Sequence, residues 1–394
     1  MKTCDLKMIP FKTSVGGHKL LSSIKIALFL VGVDIRSSKI DSKGKTTSRI
    51  ASFYLKFTTL FWVVYIFHAT ATFVFGNTFT STQEINGKLS RKSIEVITFI
   101  LWIILISRRK KISALIYKIN RLMKMFVTEY NSLWLHIGTA VVVIVPFLSW
   151  LTLTFPFEEN DCKSFMNYFS FSIFNVPEGC YCKAMYIVMF IVQIPKLVLI
   201  NTFAVLYTIL CYFLSKFFDL LSESGIKKKK EDFITYQHHR GIYEQITAVA
   251  KSLEDIMSLP IFLIGIADFM GMFYGVVALD PFHRLSARSW MKNASLSALT
   301  VSLKCFLSFV CVSLSAAHVH EASERDKQIQ DEMIKKILST EENFENKNLL
   351  LLFTNYSGKP LRLSAWGFFY FTKGLILTAV GSILTYSLLI LQLN

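Results

Sequence analysis

The sequence lacks the short motifs that mark the common enzyme classes. No GxSxG, Walker or GxGxxG pattern occurs among its 394 residues, and these are the patterns that expose a nucleophile or cradle a phosphate. Closely spaced histidines occur only as His238-His239 and His318-Val319-His320, without the four-residue step and intervening carboxylate of a metalloprotease. The sequence therefore predicts no enzyme, no catalytic residue and no cofactor.

Matched cysteine pairs are also missing, so no zinc-binding framework is predicted. Internal symmetry between two halves, which many transporters show, is absent as well. The net charge of +16 is large, but the basic residues form short clusters between apolar runs. That distribution is typical of membrane topology and not of a nucleic-acid-binding face.

Apolar residues are abundant, and they decide the class of protein. The chain is 53% hydrophobic and contains 35 phenylalanines, and its mean hydropathy is +0.45. These values predict an all-α polytopic protein in contact with membrane lipids. Seven stretches are each about 20 residues or longer, as a crossing requires, and they run over 50–76, 92–107, 133–155, 184–214, 257–280, 295–318 and 364–392.

Counting lysine and arginine predicts the orientation of these spans. Alternate connections, beginning with the N-terminal arm, hold 31 of the 43 basic residues. The positive-inside rule then places the N-terminus in the cytoplasm and the C-terminus outside. The predicted organisation is a cytoplasmic arm, six spans with an outer ligand pocket, a cytoplasmic anchor segment and a last span, over 1–49, 50–318, 319–363 and 364–394.

The predicted topology also places two features outside the membrane. Cys162, Cys180 and Cys182 fall in one predicted outer loop, where disulfides persist, although the sequence leaves their pairing open. Ile329, Met333 and Ile337 recur every fourth residue beyond the sixth span, which predicts a helix with one apolar stripe. Such a stripe needs a partner, either in the same chain or in a neighbouring subunit.

Asp268 is an acidic residue well inside the fifth span. An ionisable group inside a membrane is a candidate functional residue, and the alternative is a carboxyl group that pairs with a neighbouring helix or with a lysine such as Lys304. Aromatic and polar side chains in the outer halves of spans three to five predict a mostly apolar pocket, with an interfacial aromatic belt as the alternative. The candidate ligand-binding residues are Trp150, Thr152, Tyr186, Asp268, Phe273 and Tyr274.

The last segment resembles the C-terminal signature of insect gustatory receptors. That signature is Thr-Tyr, five hydrophobic residues, Gln and Phe, and the chain has Thr385, Tyr386 and Gln392 in matching places, with Leu393 where Phe is usual. The resemblance implies a tastant-gated cation channel in the plasma membrane of sensory neurons. It also implies a homotetramer, or co-assembly with related receptors, in which the seventh helix of each subunit lines one pore.

Within that last helix, four positions share one face at helical spacing: Thr385, Leu388, Leu389 and Gln392. If this face lines a pore, the two leucines form a hydrophobic constriction and the glutamine adds a ring of amides outside it. The alternative for Gln392 is a position at the headgroup level, where water satisfies the amide. The alternative for the whole chain is a G-protein-coupled receptor, whose usual Asp-Arg-Tyr and Asn-Pro-x-x-Tyr motifs are missing.

Overall fold

The fold is a bundle of long helices with one small hairpin. A computed structural model describes residues 24–35, 45–75, 82–126, 144–148, 150–152, 159–169, 177, 179–227, 233–278, 289–340 and 360–393. The helices are α1 Lys45–Phe75, α2 Thr82–Phe126, α3 Glu159–Phe169, α4 Tyr181–Lys227, α5 Phe233–Ala278, α6 Ser289–Thr340 and α7 Lys373–Leu393. The hairpin strands are β1 Ser364–Ala365 and β2 Phe369–Tyr370, paired antiparallel.

Four stretches of the described residues are helices that are long and apolar enough to cross a membrane. They are Arg49–Ala71, Tyr181–Ile226, Phe233–Phe273 and Leu299–Ser339, and Lys373–Tyr386 is a shorter apolar helix. The first, fourth, fifth and sixth predicted spans fall within or largely overlap these helices. The second predicted span lies inside α2, a helix that continues without a break to Phe126. Of the third, only 144–148 and 150–152 are described, and both are helical.

The main core lies where α6 packs on α4 and α5, and where α2 packs on α5. Helix α4 is buried on several sides at Phe203, Leu210, Phe213 and Phe217, as expected for a helix that is apolar all round and lies inside a bundle. The first turns of the described chain join the same core. Residues 24–30 are helical, and the Trp62 indole N–H donates to the carbonyl oxygen of Val31 at 3.1 Å.

The apolar stripe beyond the sixth span has its partner in the same chain. Met333 and Ile337 are buried against Tyr236 near the start of α5, and Ile329 packs beside them. Helices α5 and α6 therefore pack against each other along this stripe. The apolar stripe is therefore covered by a helix of its own subunit.

The predicted start of the seventh span is wrong. Residues 364–370 form the β1–β2 hairpin, and α7 begins only at Lys373. The Phe368 N–H donates to the Ala365 oxygen at 3.0 Å, and Trp366 and Gly367 have φ of 50° and 76°. Two successive left-handed residues make a type I′ turn, which a right-handed helix cannot contain. Glycine takes that conformation freely, whereas tryptophan does so rarely.

The aromatic residues of this hairpin explain why it looked like part of a membrane span. Phe368 stacks on Phe262 of α5 with ring centroids 4.9 Å apart. The apolar run therefore packs against another helix instead of continuing as one. The Leu375 N–H donates to the Thr372 hydroxyl at 3.3 Å, so Thr372 caps the first turn of α7.

Candidate gate helix and ligand site

Helix α7 has one packed face. Its contacts are with apolar side chains of α5 and α6, namely Met272, Cys305 and Phe309. On α7, the residues that make them are Leu375, Ile376, Ala379 and Ile383. Spacings of three and four residues place all of these on one side of the helix.

The remaining surface of α7 is exposed, and it carries hydroxyl groups together with Leu377 and Leu384. Thr378, Ser382 and Thr385 are exposed, and each hydroxyl donates to the backbone carbonyl oxygen four residues earlier, at 2.8 to 3.0 Å. The backbone places positions 388 and 392 on the same side as Thr385, across the helix from the packed residues. The side chains of Leu388, Leu389 and Gln392 lie outside the described part of the chain. Tyr386 is 63% exposed.

The first residues of α7 are tied to α6 and α5. The Lys373 ammonium lies 2.7 Å from a Glu321 carboxylate oxygen. The His320 Nδ1 of α6 lies 2.8 Å from the backbone oxygen of Leu361, a residue just before the hairpin. The Ser364 N–H and hydroxyl both donate to the same Glu254 oxygen, at 3.2 and 2.6 Å. The hairpin is therefore held to both helices by side chains that the sequence analysis did not single out.

A second candidate site lies around a disulfide at the start of α4. Cys162 of α3 is bonded to Cys182 of α4, and Cys180 is an exposed free thiol, which settles the pairing that the sequence left open. The outer cluster consists of the side chains around this bond, which are buried or half-buried except for the exposed Phe190 against Trp150: Trp150, Met166, Tyr181, Met185, Tyr186, Met189 and Phe190. Three methionines with aromatic rings make a deformable apolar surface.

Two of the predicted ligand-binding residues meet in the outer cluster. Trp150 and Tyr186 both pack there, and Trp150 makes an edge-to-face contact with Phe190 at 5.3 Å. Thr152 is half-buried two residues beyond Trp150. Phe273 is half-buried on α5, and the side chain of Tyr274 lies outside the described residues.

Asp268 lies elsewhere, between α5 and α6. It is 2% exposed, Ser308 and Cys305 lie against its carboxyl group, and Lys304 is the charged neighbour. The cavity beside it has a volume of about 10 Å³, which is room for about one water molecule. Asp268 is therefore surrounded by helix packing near the packed face of α7, in a space much smaller than a ligand.

Comparison with known proteins identifies the family. A model described as 7tm Chemosensory receptor matches residues 36–393. The chain belongs to this chemosensory receptor family. The fold agrees with insect olfactory receptor OR5 from Machilis hrabei, at 12% identity and a TM-score of 0.69, covering 96% of this chain and 98% of that one. The structure of OR5 in complex with eugenol gives a TM-score of 0.70 at the same identity and coverage.

No curated protein sequence matched this chemosensory receptor significantly. Membership confirms the resemblance at the level of the family, which forms ligand-gated channels, and it does not favour a G-protein-coupled receptor. At this low identity, the likeness to OR5 shows the fold alone. The receptor is a membrane-spanning protein built from long apolar helices.

Sequence reasoning missed a buried polar network at the predicted cytoplasmic end of this receptor. Asp326 of α6 is fully buried and contacts Ser222 of α4, His239 of α5 and Gln330. The His238-His239 pair was considered only as a metal motif. An isolated aspartate on a charged helix gives no sign of burial, because its partners are remote in sequence.

Proposed function

We propose that this receptor is a gustatory receptor, a tastant-gated and non-selective cation channel in the plasma membrane of sensory neurons. The Thr385-Tyr386 pair and Gln392 support taste over olfaction, because they match the gustatory signature. The receptor is oriented with its N-terminus in the cytoplasm and its C-terminus outside. It crosses the membrane seven times.

The division of α7 into two faces carries the proposal. The lipid-facing side of a membrane helix is normally apolar, because lipid offers no hydrogen-bond partners. Here the exposed side carries the hydroxyl groups of Thr378, Ser382 and Thr385 alongside the exposed Leu377 and Leu384, and a row of hydroxyl groups suits a water-lined path better than lipid. A water-filled path lined by α7 from several subunits accounts for these hydroxyl groups.

Four copies of α7 around one axis make such a path. The predicted gate positions, Thr385, Leu388 and Gln392, then point toward the axis, with Leu389 beside them. Leucines close the path by excluding water, and the amide ring lies just outside. The assembly is a homotetramer or a tetramer with related receptors.

The outer cluster supports a binding site for a small, partly apolar tastant. OR5 has been solved in complex with eugenol, a small molecule. In this receptor the cluster combines aromatic rings and methionines with the Tyr186 hydroxyl, which is the mixture of apolar walls and few polar anchors that small-molecule sites use. The disulfide fixes α3 on α4 and so preserves one wall. Trp150, Thr152, Tyr186, Phe273 and Tyr274 remain the proposed contacts, with Asp268 deeper and acting on the helices between pocket and gate.

Recordings from cells that express the full chain test the proposal. Sugars, plant secondary compounds and eugenol are applied, with a G-protein inhibitor in the pipette. A current that appears with any of these compounds and survives the inhibitor supports the channel. A response that the inhibitor abolishes overturns it.

Cysteine modification tests the orientation of α7 with a matched pair of variants. Thr378→Cys places a thiol on the exposed face, and Ala379→Cys places one on the packed face, where Ala379 is 5% exposed. A charged thiol reagent should reduce the current of the first variant and leave the second like the unsubstituted chain. Equal effects on both variants would contradict the assigned pore face.

A further inference from the structure

Three helices share a buried polar network at the predicted cytoplasmic end. The Asp326 carboxylate of α6 accepts hydrogen bonds from the Ser222 hydroxyl at 3.1 Å and the Gln330 amide at 2.8 Å, and His239 Nε2 lies 3.1 Å from it. Asp326 is 0% exposed and the other three are at most 8% exposed. The network therefore joins α4, α5 and α6 in a place that water does not reach directly.

One described partner of Asp326 can balance its negative charge. A buried carboxylate is costly unless a positive group or several donors offset it. Of its partners among the described residues, only His239 can carry a positive charge. A protonated imidazole completes an ion pair, whereas a neutral one leaves the carboxylate with dipoles alone.

Two ion pairs lie on the same helices as the network. Arg325 binds Asp219 at 2.8 Å, joining α6 to α4, and Arg240 binds Glu244 at 2.9 Å on α5. Helix α2 presents the apolar ring of Phe126. The other titratable groups near the network on these helices are Lys124, Glu223, Tyr236, His238, Tyr243, Lys327 and Asp331.

Protons can reach His239 through a cavity. This cavity has a volume of about 250 Å³ and lies between the ends of α2 and α4 and the start of α5, with His239, His238, Ser224 and Thr235 among its lining residues. His238 is exposed, so the cavity lies beside solvent. A Cβ on Gly225 would lie 3.2 Å from His239 Cε1, and the absence of that atom lets the end of α4 approach the ring.

The network is one helical turn from the support of the gate helix. Tyr243 follows His239 by four residues on α5, and its hydroxyl lies 3.3 Å from the Ser323 hydroxyl, three residues before Asp326 on α6. The Ser323 oxygen also accepts the Leu361 N–H at 3.3 Å. Leu361 is followed by the hairpin and then by α7. The same Ser323 hydroxyl therefore takes part both in the contact between α5 and α6 and in the contact that holds the segment before α7 in place.

We propose that His239 and Asp326 form a proton-binding site through which acidity at the cytoplasmic end regulates the receptor. The proposal rests on the proposed channel function and adds a regulator to it. Protonated His239 holds α5 against α6 and keeps α7 seated on its own subunit. Loss of the proton loosens the contact of α7 with its own subunit and favours opening.

Inside-out patches from cells that express the full chain test the regulation, with ligand-free current as the probe. Raising the bath from about pH 6 to pH 8 should increase current by about fivefold, the lower end of ordinary coupling between sites. His239→Gln keeps an N–H donor but cannot be charged, and it should abolish the change. His238→Gln removes the neighbouring histidine and should retain it. Equal pH responses in the two variants would overturn the proposal.

A second measurement does not depend on channel activity. The thermal midpoint of the detergent-solubilised full chain should fall as pH rises over the same range in the unsubstituted protein and in His238→Gln, but not in His239→Gln. If the midpoint shows this pH dependence but the patches carry no current, the proton site is supported and the channel function is rejected. A midpoint with the same pH dependence in His239→Gln rejects the proton site, whether or not current is present.

Discussion

Replacing Gly271 by alanine should disturb the contact between α5 and α6 that supports the gate helix. A Cβ at this position would collide with Sγ of Cys305. Cys305 is also part of the packed face beneath α7, together with Met272 and Ala379. The two helices therefore approach closely at Gly271 because it has no side chain.

The expected magnitude follows from two opposing effects. Alanine favours a helix over glycine by about 1 kcal/mol, whereas overpacking a filled contact costs about 1–3 kcal/mol. Gly271→Ala should therefore lower the free energy of unfolding by about 1 kcal/mol. Gly265→Ala is the matched control on the same helix, since a Cβ there has no atom within 4 Å, and it should be neutral or stabilising.

Thermal unfolding of the purified receptor and agonist dose–response curves measure the two consequences. We expect a lower midpoint and a shifted curve for Gly271→Ala, and neither for Gly265→Ala. Cys305→Ala should rescue Gly271→Ala, because the nearest remaining atom is then the Cβ at 3.3 Å. If Gly271→Ala is as stable as the control, or the double variant is no better than the single one, the close contact does not exist in the folded receptor.

Three further predictions concern the predicted site residues. Asp268→Asn changes a buried carboxyl group that lies against Ser308 and Cys305, near the packed face of α7, and should weaken agonist responses; unchanged dose–response curves for every agonist would remove Asp268 from the response. Gln392→Ala should raise ligand-independent current or alter ion selectivity at normal surface expression, and wild-type leak and selectivity would assign Gln392 to the headgroups. Cys162→Ser should destabilise the receptor by about 3 kcal/mol, because it removes a disulfide that closes a loop of this length. Cys180→Ser is the control and should match the unsubstituted chain in non-reducing thermal unfolding.

Hydropathy alone predicted much of the helical framework. Phe203, Leu210 and Phe213 of α4 lie in a mainly apolar run without charged residues, and such a run is stable in a membrane only as a helix because its backbone must satisfy its own hydrogen bonds. The stripe of Ile329, Met333 and Ile337 likewise predicted a helix, because its spacing matches the helical repeat. These are local properties, so they can be read from neighbouring residues. The same is true of the Thr385-Tyr386 and Gln392 motif that suggested the family.

Tertiary structure decided which remote residues meet. The partner of the Ile329 stripe is α5 of the same chain, and Cys162 pairs with Cys182 although Cys180 is nearer in sequence. Asp268 shares a helix with Phe273 yet lies against α6, away from the outer cluster. Each choice depends on how helices cross, which a periodic pattern does not encode.

The hairpin before α7 and the buried pair of His239 and Asp326 show the same limit most clearly. Residues 364–370 carry no charge and include four aromatic side chains, and their turn follows from contacts with Phe262 and from the backbone at Trp366 and Gly367. His239 and Asp326 are 87 residues apart, and each alone reads as an ordinary polar residue on a solvated helix. Local sequence determines where helices form, because backbone hydrogen bonds and hydrophobic periodicity are local. Only the packed bundle determines which charges are buried together, because burial depends on the surfaces that distant segments present to each other.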